Sequence, residues 1–170
     1  MHEAPGRDEA APYYFRYIDR IPACDIVQRL DEQLDETLAV LSAIPEEKSI
    51  QRYAPGKWSM RQLLNHVNDT ERVFLSRAFW FARGNDTPLP GFDQDVAATY
   101  AGAHEISWAD HKDELRAVRL ATVAFFRNLA PDAWMRKGIA SDNPFTVRSL
   151  AYIAAGHLDH HVGILRDRYL

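Results

Sequence analysis

The chain has 170 residues, 46% hydrophobic and 26% charged, with a formal net charge of −4 at pH 7, which is typical of one soluble globular domain over residues 1–170. A net negative charge gives no basic surface for binding nucleic acid, so we do not expect a nucleic-acid partner. No apolar run approaches the ~18 residues of a membrane span, so we do not expect the chain to cross a membrane. The one cysteine, Cys24, cannot form an internal disulfide, and the N-terminus lacks the apolar core of a signal peptide. Both features favour a cytoplasmic location.

The N-terminal segment changes character near residue 12. Residues 1–11 are polar and contain Pro5 and Gly6, so we expect them to be disordered. The stretch that follows is too apolar for a tail, and we expect it to pack against the domain up to Pro22. Its apolar members are Tyr13, Tyr14, Phe15, Tyr17 and Ile18.

The first long helix is predicted over residues 25–44. Asp25 and Gln28 are spaced as a capping box, and Pro45 stops the helix. Apolar residues three and four apart form one stripe along it. They are Val27, Leu30, Leu34, Leu38 and Leu41.

The second helix is predicted from Ser59 to about residue 83, because Ser59 and Gln62 repeat the capping-box spacing. His66 lies beside its inward stripe. A single histidine in such a position is more often a core residue than a ligand, and other evidence is needed to assign it a role. The inward stripe comprises Leu63, Val67, Thr70, Phe74, Ala78 and Phe81.

Residues 84–106 form a long connection that is rich in glycine and proline. A connection of this length is usually functional or contains a short helix, and Asp93 can cap such a helix over residues 93–100. Pro88, Pro90 and Gly91 with Phe92 predict a stiff, partly apolar strap across the domain that borders its pocket.

Two further long helices are predicted. One runs from Ser107, with Asp110 three residues later, to about residue 129. Residues 131–145 are predicted to form a loop that has room for a short turn. Thr146 then caps the last helix, whose apolar stripe passes through His157 and His161, so both rings should point inward.

Four amphipathic helices without an alternating strand pattern predict an all-α four-helix bundle. The moderate connections between helices 1 and 2 and between helices 3 and 4 suit antiparallel neighbours. The connection over residues 84–106 is long enough to travel back along a helix of ~37 Å. This favours an up-down-down-up order with a long helix 2–helix 3 crossover, in which helices 2 and 4 are antiparallel.

His157 and His161 are four residues apart. On a helix this spacing puts both rings on one face, where they can chelate one metal ion. The small residues Ala154, Ala155 and Gly156 just before them leave room for an ion and a ligand. The same spacing also fits two histidines that only pack or face water, so a further ligand is needed to separate the two interpretations.

His66 is the candidate for that further ligand. It lies seven residues after the start of helix 2, and in an antiparallel pair this depth matches a point close to His161 in helix 4. In a parallel pair, His66 would lie ~9 Å along the helix axis from the level midway between His157 and His161. The antiparallel arrangement therefore predicts three imidazoles at similar depth.

Three histidines from two facing helices would hold a metal ion with an open face. Three protein ligands plus water is typical of catalytic zinc, and imidazole also suits nickel, iron or copper. His160 should point about 100° away from the pair and is left out of the site. The remaining histidines lack matched partners and are interpreted as surface or loop residues: His2, His104 and His111.

Three stretches together resemble the DinB/YfiT-like superfamily over most of the chain, from about residue 25 to the end. They are Trp58-Ser59-Met60-Arg61-Gln62-Leu63-Leu64-Asn65-His66-Val67-Asn68-Asp69-Thr70-Glu71, the later Leu89-Pro90-Gly91-Phe92-Asp93, and Gly156-His157-x-x-x-His161.

The resemblance implies an up-down-down-up four-helix bundle, often a homodimer, with a divalent metal on His66, His157 and His161. The metals expected first are zinc and nickel, followed by iron and manganese. Members of the family resemble metal-dependent hydrolases, or transferases that use low-molecular-weight thiols such as bacillithiol and mycothiol.

These observations leave several functions open. We favour a small-molecule enzyme that transfers a low-molecular-weight thiol, with a metal-dependent hydrolase as runner-up and a non-enzymatic metal- or ligand-binding stress protein as a further alternative. Facial chelation by three imidazoles does not match the axial ligation of haem. No catalytic acid or base is assigned. Three acidic residues lie near the histidines in sequence: Asp69, Glu71 and Asp159. Any of them could orient a ligand imidazole or move a proton, but each is interpreted first as a solvated carboxylate or as a partner of Arg72 or Arg77.

Overall fold

The computed structural model describes residues 3–170, in which the ordered elements are six α-helices and one β-hairpin. Short 3-10 turns occur at Pro12–Tyr14, Glu46–Lys48 and Pro131–Met135. The helices are α1 (Phe15–Ile18), α2 (Ile26–Ser42), α3 (Met60–Ala82), α4 (Gln94–Tyr100), α5 (Trp108–Arg127) and α6 (Val147–Arg168), and the strands are β1 (Lys137–Ala140) and β2 (Asn143–Thr146).

Local hydrogen bonds fix the helix starts where the sequence predicts them. Ser59 and Gln62 form a full capping box at α3, and Thr146 forms one with Ser149 at α6. Asp25 caps α2 through the backbone N–H groups of Val27 and Gln28. Such caps satisfy backbone donors that would otherwise lack a partner. The predicted caps at Ser107 and Asp93 are also present.

The four long helices form the predicted up-down-down-up bundle. The N-terminal end of α5 meets the C-terminal end of α2, where the Trp108 Nε1–H donates to the Leu41 carbonyl at 3.1 Å. At the other end of this antiparallel pair, Arg127 and Asp31 form an ion pair at 3.1 Å. Helices α3 and α6 are also antiparallel, since His66 lies against His157, and Trp58, just before α3, contacts Tyr169 just after α6. Helix α3 runs parallel to α5, and α2 runs parallel to α6.

One feature of the expected packing is wrong. Helices α2 and α3, and likewise α5 and α6, were expected to be neighbours, but each pair lies across a diagonal of the bundle, with its main packing against other helices. Residues 43–59 and 128–146 connect these pairs, and connections of this length can cross a bundle end. Connection length limits how far apart two helix ends lie, but it does not fix which groove the second helix occupies.

The predicted loop over residues 131–145 contains the β-hairpin, so the sequence-based prediction is wrong for this segment. Lys137 pairs with Thr146 and Ala140 with Asn143. Ser141 and Asp142 form the two-residue turn with φ angles of 51° and 58°, the left-handed values typical of tight hairpin turns. Strands of four residues are too short for an alternation of apolar and polar positions to stand out.

The strap at residues 88–92 is held against this hairpin. The Leu89 N–H donates to the Ile139 carbonyl at 2.9 Å, and the Ser141 N–H donates to the Leu89 carbonyl at 3.1 Å. On the other side, the backbone of Gly138 lies against Phe81, where a Cβ atom would be 2.0 Å from the ring. Hairpin, strap and α3 therefore form one packed unit at this end of the bundle.

Part of the N-terminal segment expected to be disordered is built into the fold. Glu9 and Ala10 are buried. The Glu9 carboxylate accepts a hydrogen bond from the Thr146 hydroxyl at 2.8 Å and one from Arg148 Nε at 3.0 Å. Residues 1 and 2 of the same segment lie outside the described residues. Next to it, the predicted apolar stretch packs as expected, with Phe15, Tyr17 and Ile18 buried.

A polar layer crosses the bundle between two apolar clusters. One cluster lies at the end that carries α1 and the hairpin, and the other lies at the opposite end. Between them each long helix contributes buried polar side chains, and Arg119 donates to Glu71 at 2.7 Å and to Gln33 at 3.0 Å. The layer comprises Gln33 of α2, Thr70 and Glu71 of α3, Arg119 of α5 and His157 of α6.

Candidate metal centre

The three predicted imidazoles meet at the edge of the polar layer. The Nε2 atom of His157 lies 3.2 Å from that of His66 and 3.1 Å from that of His161. One ligand nitrogen from each ring lies within 4.8 Å of the other two. Helix α3 supplies His66, while α6 supplies the other two rings one turn apart. The antiparallel packing of α3 and α6 therefore brings the three side chains together.

This spacing fits the coordination sphere of one small divalent ion. Metal–nitrogen bonds of about 2.0–2.1 Å are usual for imidazole on zinc. Two nitrogens 3.1–3.2 Å apart then subtend an angle of about 100° at the metal. Three protein ligands leave one position of a tetrahedral site open, as in catalytic rather than structural sites. The cluster could therefore hold a metal ion together with an exchangeable ligand.

Burial keeps all three rings neutral and ready to bind a metal. Desolvation lowers the pKa of His66 to about 4. Desolvation, together with the neighbouring His66 and His160, lowers the pKa of His161 to about 3. The pKa of His157 falls well below its ordinary value for the same main reason. Neutral imidazole has the lone pair that metal ligation requires.

Thr70 orients the central imidazole. Its hydroxyl donates to the His66 carbonyl at 2.7 Å, and its oxygen lies 3.4 Å from His157 Nδ1. Because that hydroxyl proton is already used, the oxygen is free to accept from His157 Nδ1–H. A proton on Nδ1 leaves the lone pair on Nε2, which is the atom that faces the other two rings. Such outer hydrogen bonds fix the tautomer of metal-binding histidines.

Aromatic rings surround the histidines. Tyr17 and Phe74 lie with their ring centroids 5.2 and 5.6 Å from that of His157. The Trp58 ring lies 4.9 Å from that of His66. These rings limit the access of water to the nitrogens, which explains the strong desolvation.

Gly156 allows Tyr17 to reach the site. A Cβ atom at Gly156 would lie 2.0 Å from the Tyr17 carbonyl oxygen, so only glycine permits this approach of α1 to α6. The small residues before His157 were expected to leave room for an ion and a ligand. At Gly156 that expectation is wrong, because the α1 backbone occupies the space.

A cavity of about 170 Å³ opens beside His157. Its wall follows α3 from Thr70 to Arg77 and includes Phe92 of the strap, in agreement with the prediction that the strap borders the pocket. Tyrosines of the N-terminal segment close the opposite side. Arg77 is the one charged side chain in the wall, and no carboxylate is present among the described residues that line it.

The acidic residues considered from the sequence lie elsewhere. Glu71 pairs with the buried Arg119. Asp69 accepts from Asn65 at 2.8 Å and lies near Arg72, and Asp159 pairs with Arg20 at 2.6 Å. Each carboxylate therefore forms an ion pair, but only Asp69 has an expected partner, Arg72. The expectation is wrong for Glu71, which is buried and pairs with Arg119, and the partner of Asp159 is Arg20.

The other described histidines stay out of the cluster. His160 lies beside Tyr17 and His161 but contributes no nitrogen to the group. His104 is exposed, as expected. His111 was expected at the surface, and this is wrong: its ring is fully buried, and its Nε2 lies 2.8 Å from the Ala103 carbonyl. The connection before α5 folds over His111, and a helical pattern alone does not reveal that contact. His2 lies outside the described residues.

Cys24 lies apart from the histidines. It is half-buried just before α2, next to the Tyr152 hydroxyl. Burial raises the pKa of its thiol, an effect that the bond to Tyr152 opposes. A thiol with a raised pKa is largely protonated and therefore a poor nucleophile.

The family model described as the DinB superfamily matches residues 29–165. This chain belongs to the DinB superfamily. The curated proteins contain no match to its sequence.

Two solved structures share the fold of this DinB-superfamily chain. YfiT from Bacillus subtilis, described as a probable metal-dependent hydrolase with an unusual four-helix bundle topology, gives a TM-score of 0.75 at 15% identity, with 98% of this chain and 91% of that chain covered. A mycothiol-dependent maleylpyruvate isomerase gives 0.71 at 12% identity, with 85% of this chain and 61% of the isomerase covered. The match thus spans less than two thirds of the isomerase, and at these identities the likeness concerns the fold.

Two residues that line the cavity, Tyr17 and Arg77, were not assigned to a site from the sequence. Tyr17 was expected only to pack against the domain, and Arg77 was considered only as a partner for carboxylates. The signal for Tyr17 was Gly156, because a glycine inside a helical pattern often has a packing reason. Arg77 carries no comparable signal, because a helix arginine more than three turns after His66 fits a solvated surface equally well.

Proposed function

We propose that this protein is a metal-dependent enzyme that transfers a low-molecular-weight thiol to an electrophilic small molecule. His66, His157 and His161 would hold the divalent metal, with zinc or nickel as the first candidates and iron or manganese as the next. The observation that carries the proposal is the trio of Nε2 atoms beside a cavity with no carboxylate in its described wall.

The residues of the site would act on the metal's ligand as follows. A divalent metal supplies a Lewis acid that lowers the pKa of a bound thiol or water. The three imidazoles remain neutral because burial lowers the pKa of each. Thr70 holds His157 with Nε2 directed at the metal position, and Tyr17 and Phe74 exclude bulk water from that ring.

The make-up of the cavity favours a thiol over water as the nucleophile. A thiol has an ordinary pKa near 8.5, far below the 15.7 of water, so it ionises with less assistance. Zinc hydrolases often add a carboxylate as general base, and the described cavity wall has none. Because Cys24 lies apart from the histidines, the thiol would come from a cosubstrate.

Hydrolysis is the second candidate. The observation in its favour is the similarity of fold to YfiT, which is described as a probable metal-dependent hydrolase. The open metal position could hold water as well as a thiol. A non-enzymatic protein that binds a metal or a small ligand is the remaining alternative.

The test combines a panel of thiols with a generic electrophile, chlorodinitrobenzene, using metal-loaded and metal-stripped protein. The panel includes cysteine, glutathione, bacillithiol and mycothiol. We expect saturable, metal-dependent conjugation that persists in Cys24→Ser and His160→Ala but is lost in His161→Ala. Cleavage of esters or amides without added thiol would instead support the hydrolase. Metal binding without turnover in either assay would support the binding protein.

A further inference from the structure

We propose that the cavity beside His157 binds a carboxylate group of the substrate, and that the Arg77 guanidinium recognises it. This inference names the substrate class of the site and in that respect rests on the proposed function. The binding step itself requires no metal, so it can be tested separately.

Arg77 is a buried cation without an anionic partner among the described residues. The residue has a relative exposure of 5%. The Nη2 group donates to the Ser141 hydroxyl at 2.8 Å and lies 3.4 Å from the Pro90 carbonyl. Both partners are neutral, and no described Asp or Glu forms an ion pair with Arg77. Burying a charge in this way is costly unless a counter-charge completes the site.

The contrast with the other buried arginine supports a role in binding. Arg119 is also buried, but Glu71 and Gln33 accept its hydrogen bonds. It therefore serves the structure of the polar layer. Arg77 instead lines the cavity. Ser141 and Pro90 hold one amino group, and the Tyr14 phenol is a further neutral hydrogen-bond partner. The guanidinium has five N–H donors, so donors remain for a ligand.

The environment of Arg77 favours an anion with a planar shape. Burial lowers the pKa of the guanidinium, and the neighbouring Tyr14 phenol acts in the opposite direction, but an arginine stays protonated in either case. A rigid guanidinium fork matches the two oxygens of a carboxylate. Tyr13, Tyr14 and Tyr17 also line the cavity, and their hydroxyls can donate to a carboxylate oxygen.

The size of the cavity allows one small ligand to lie between Arg77 and the histidines. Thr70, which contacts His157, and Arg77 are seven residues apart on α3, or ~10.5 Å along the helix. An engineered cavity of about 150 Å³ in another protein holds one benzene molecule, and the present cavity of about 170 Å³ is of similar size. A small acid can therefore place its carboxylate at Arg77 and its other end towards the metal position.

The experiment measures binding of benzoate to metal-stripped protein by NMR titration, with benzamide as the neutral isostere. Charge-assisted hydrogen bonds contribute about 1.5–3 kcal/mol, equivalent to roughly ten- to a hundred-fold in Kd. We expect benzoate to bind at least about tenfold more tightly than benzamide. We expect Arg77→Gln to remove this preference, and Arg77→Lys, which keeps the charge but not the fork, to reduce it.

The matched control is Arg83→Gln, which removes one positive charge from the exposed C-terminal end of the same helix. It should leave benzoate binding unchanged. Thermal melting checks that each variant folds. If Arg77→Gln does not fold, benzoate against benzamide in the unmodified protein still tests the preference for a carboxylate, and its reduction in Arg77→Lys assigns that preference to Arg77.

Three results would overturn the inference. They are equal binding of benzoate and benzamide, benzoate binding that persists unchanged in folded Arg77→Gln, and inorganic phosphate binding more tightly than benzoate at the same site. Because the titration uses metal-stripped protein, the carboxylate site would remain supported even if the thiol-transfer assays found no activity. Conversely, an active metal enzyme with no preference for benzoate would refute only the carboxylate site.

Discussion

At the scale of single residues, the site depends on which atom of each histidine faces its neighbours. His66→Ala, His157→Ala and His161→Ala should each lower the affinity for zinc by at least about a hundredfold, since each removes one of three ligands. His160→Ala, on the same helix but outside the cluster, should leave it unchanged. Elemental analysis and titration calorimetry provide the measurement. Loss of zinc in His160→Ala with retention in His161→Ala would show that the wrong helix face has been assigned.

Thr70 offers a second test at this scale. Thr70→Val keeps the shape of the side chain but removes the acceptor for His157 Nδ1–H, so we expect zinc affinity to fall about 10–100-fold. Thr122→Val is the matched control, because Thr122 is also buried and also donates to a carbonyl four residues earlier, but on α5. Equal zinc affinities in the two variants would contradict the orienting role of Thr70.

At the scale of elements, the helices were predictable because each long one repeats its apolar spacing and begins with a capping residue. The antiparallel arrangement of α3 and α6 followed from the connection lengths, and the depth of His66 against His161 agreed with it. The hairpin was not predictable, since its two strands have four residues each and include Gly138 and Pro144, residue types that weaken a strand signal. What the sequence left undetermined were contacts between distant segments, such as the strap on the hairpin and α1 on α6.

The contact between α1 and α6 leads to a prediction for Gly156. Gly156→Ala would force its Cβ against the Tyr17 carbonyl, so α1 must shift away from the histidines. Overpacking of this kind costs about 1–3 kcal/mol, and we expect a lower Tm and faster release of zinc to a chelator. Gly163→Ala is the control on the same helix, since its Cβ would meet only the end of Arg20 at 3.5 Å. Similar Tm values for the two variants would contradict the close approach.

At the scale of the whole molecule, the polar layer divides the core into two apolar clusters. It combines the ion pair of Arg119 with Glu71 and the oriented His157 in a region from which water is largely excluded. Among the described residues, no helix is long and apolar enough to cross a membrane. The cavity opens at the level where that apolar packing is interrupted, next to the histidines.

The burial of neutral histidines in this layer makes the stability of the metal-free protein depend on pH. The folded pKa values of His66 and His161 are about 4 and 3, and that of His157 is also lowered, against 6.5 for an unperturbed histidine. Above pH 6.5 both folded and unfolded chains carry neutral rings, so the full stability is present. As the pH falls from 6.5 towards 4, the unfolded chain binds protons that the folded chain does not, and stability is lost.

We therefore expect each buried histidine to contribute a loss of about 1.4 kcal/mol per pH unit within that window. Urea unfolding of metal-free protein between pH 7 and pH 4 measures the slope. His161→Asn should reduce it by about 1.4 kcal/mol per pH unit, because one proton fewer is taken up on unfolding. Excess zinc should move the loss to lower pH, since the metal binds the folded chain in competition with those protons. A slope that is the same in the variant and the unmodified protein would mean that His161 is already protonated in the folded state, and would contradict its burial as a neutral ring.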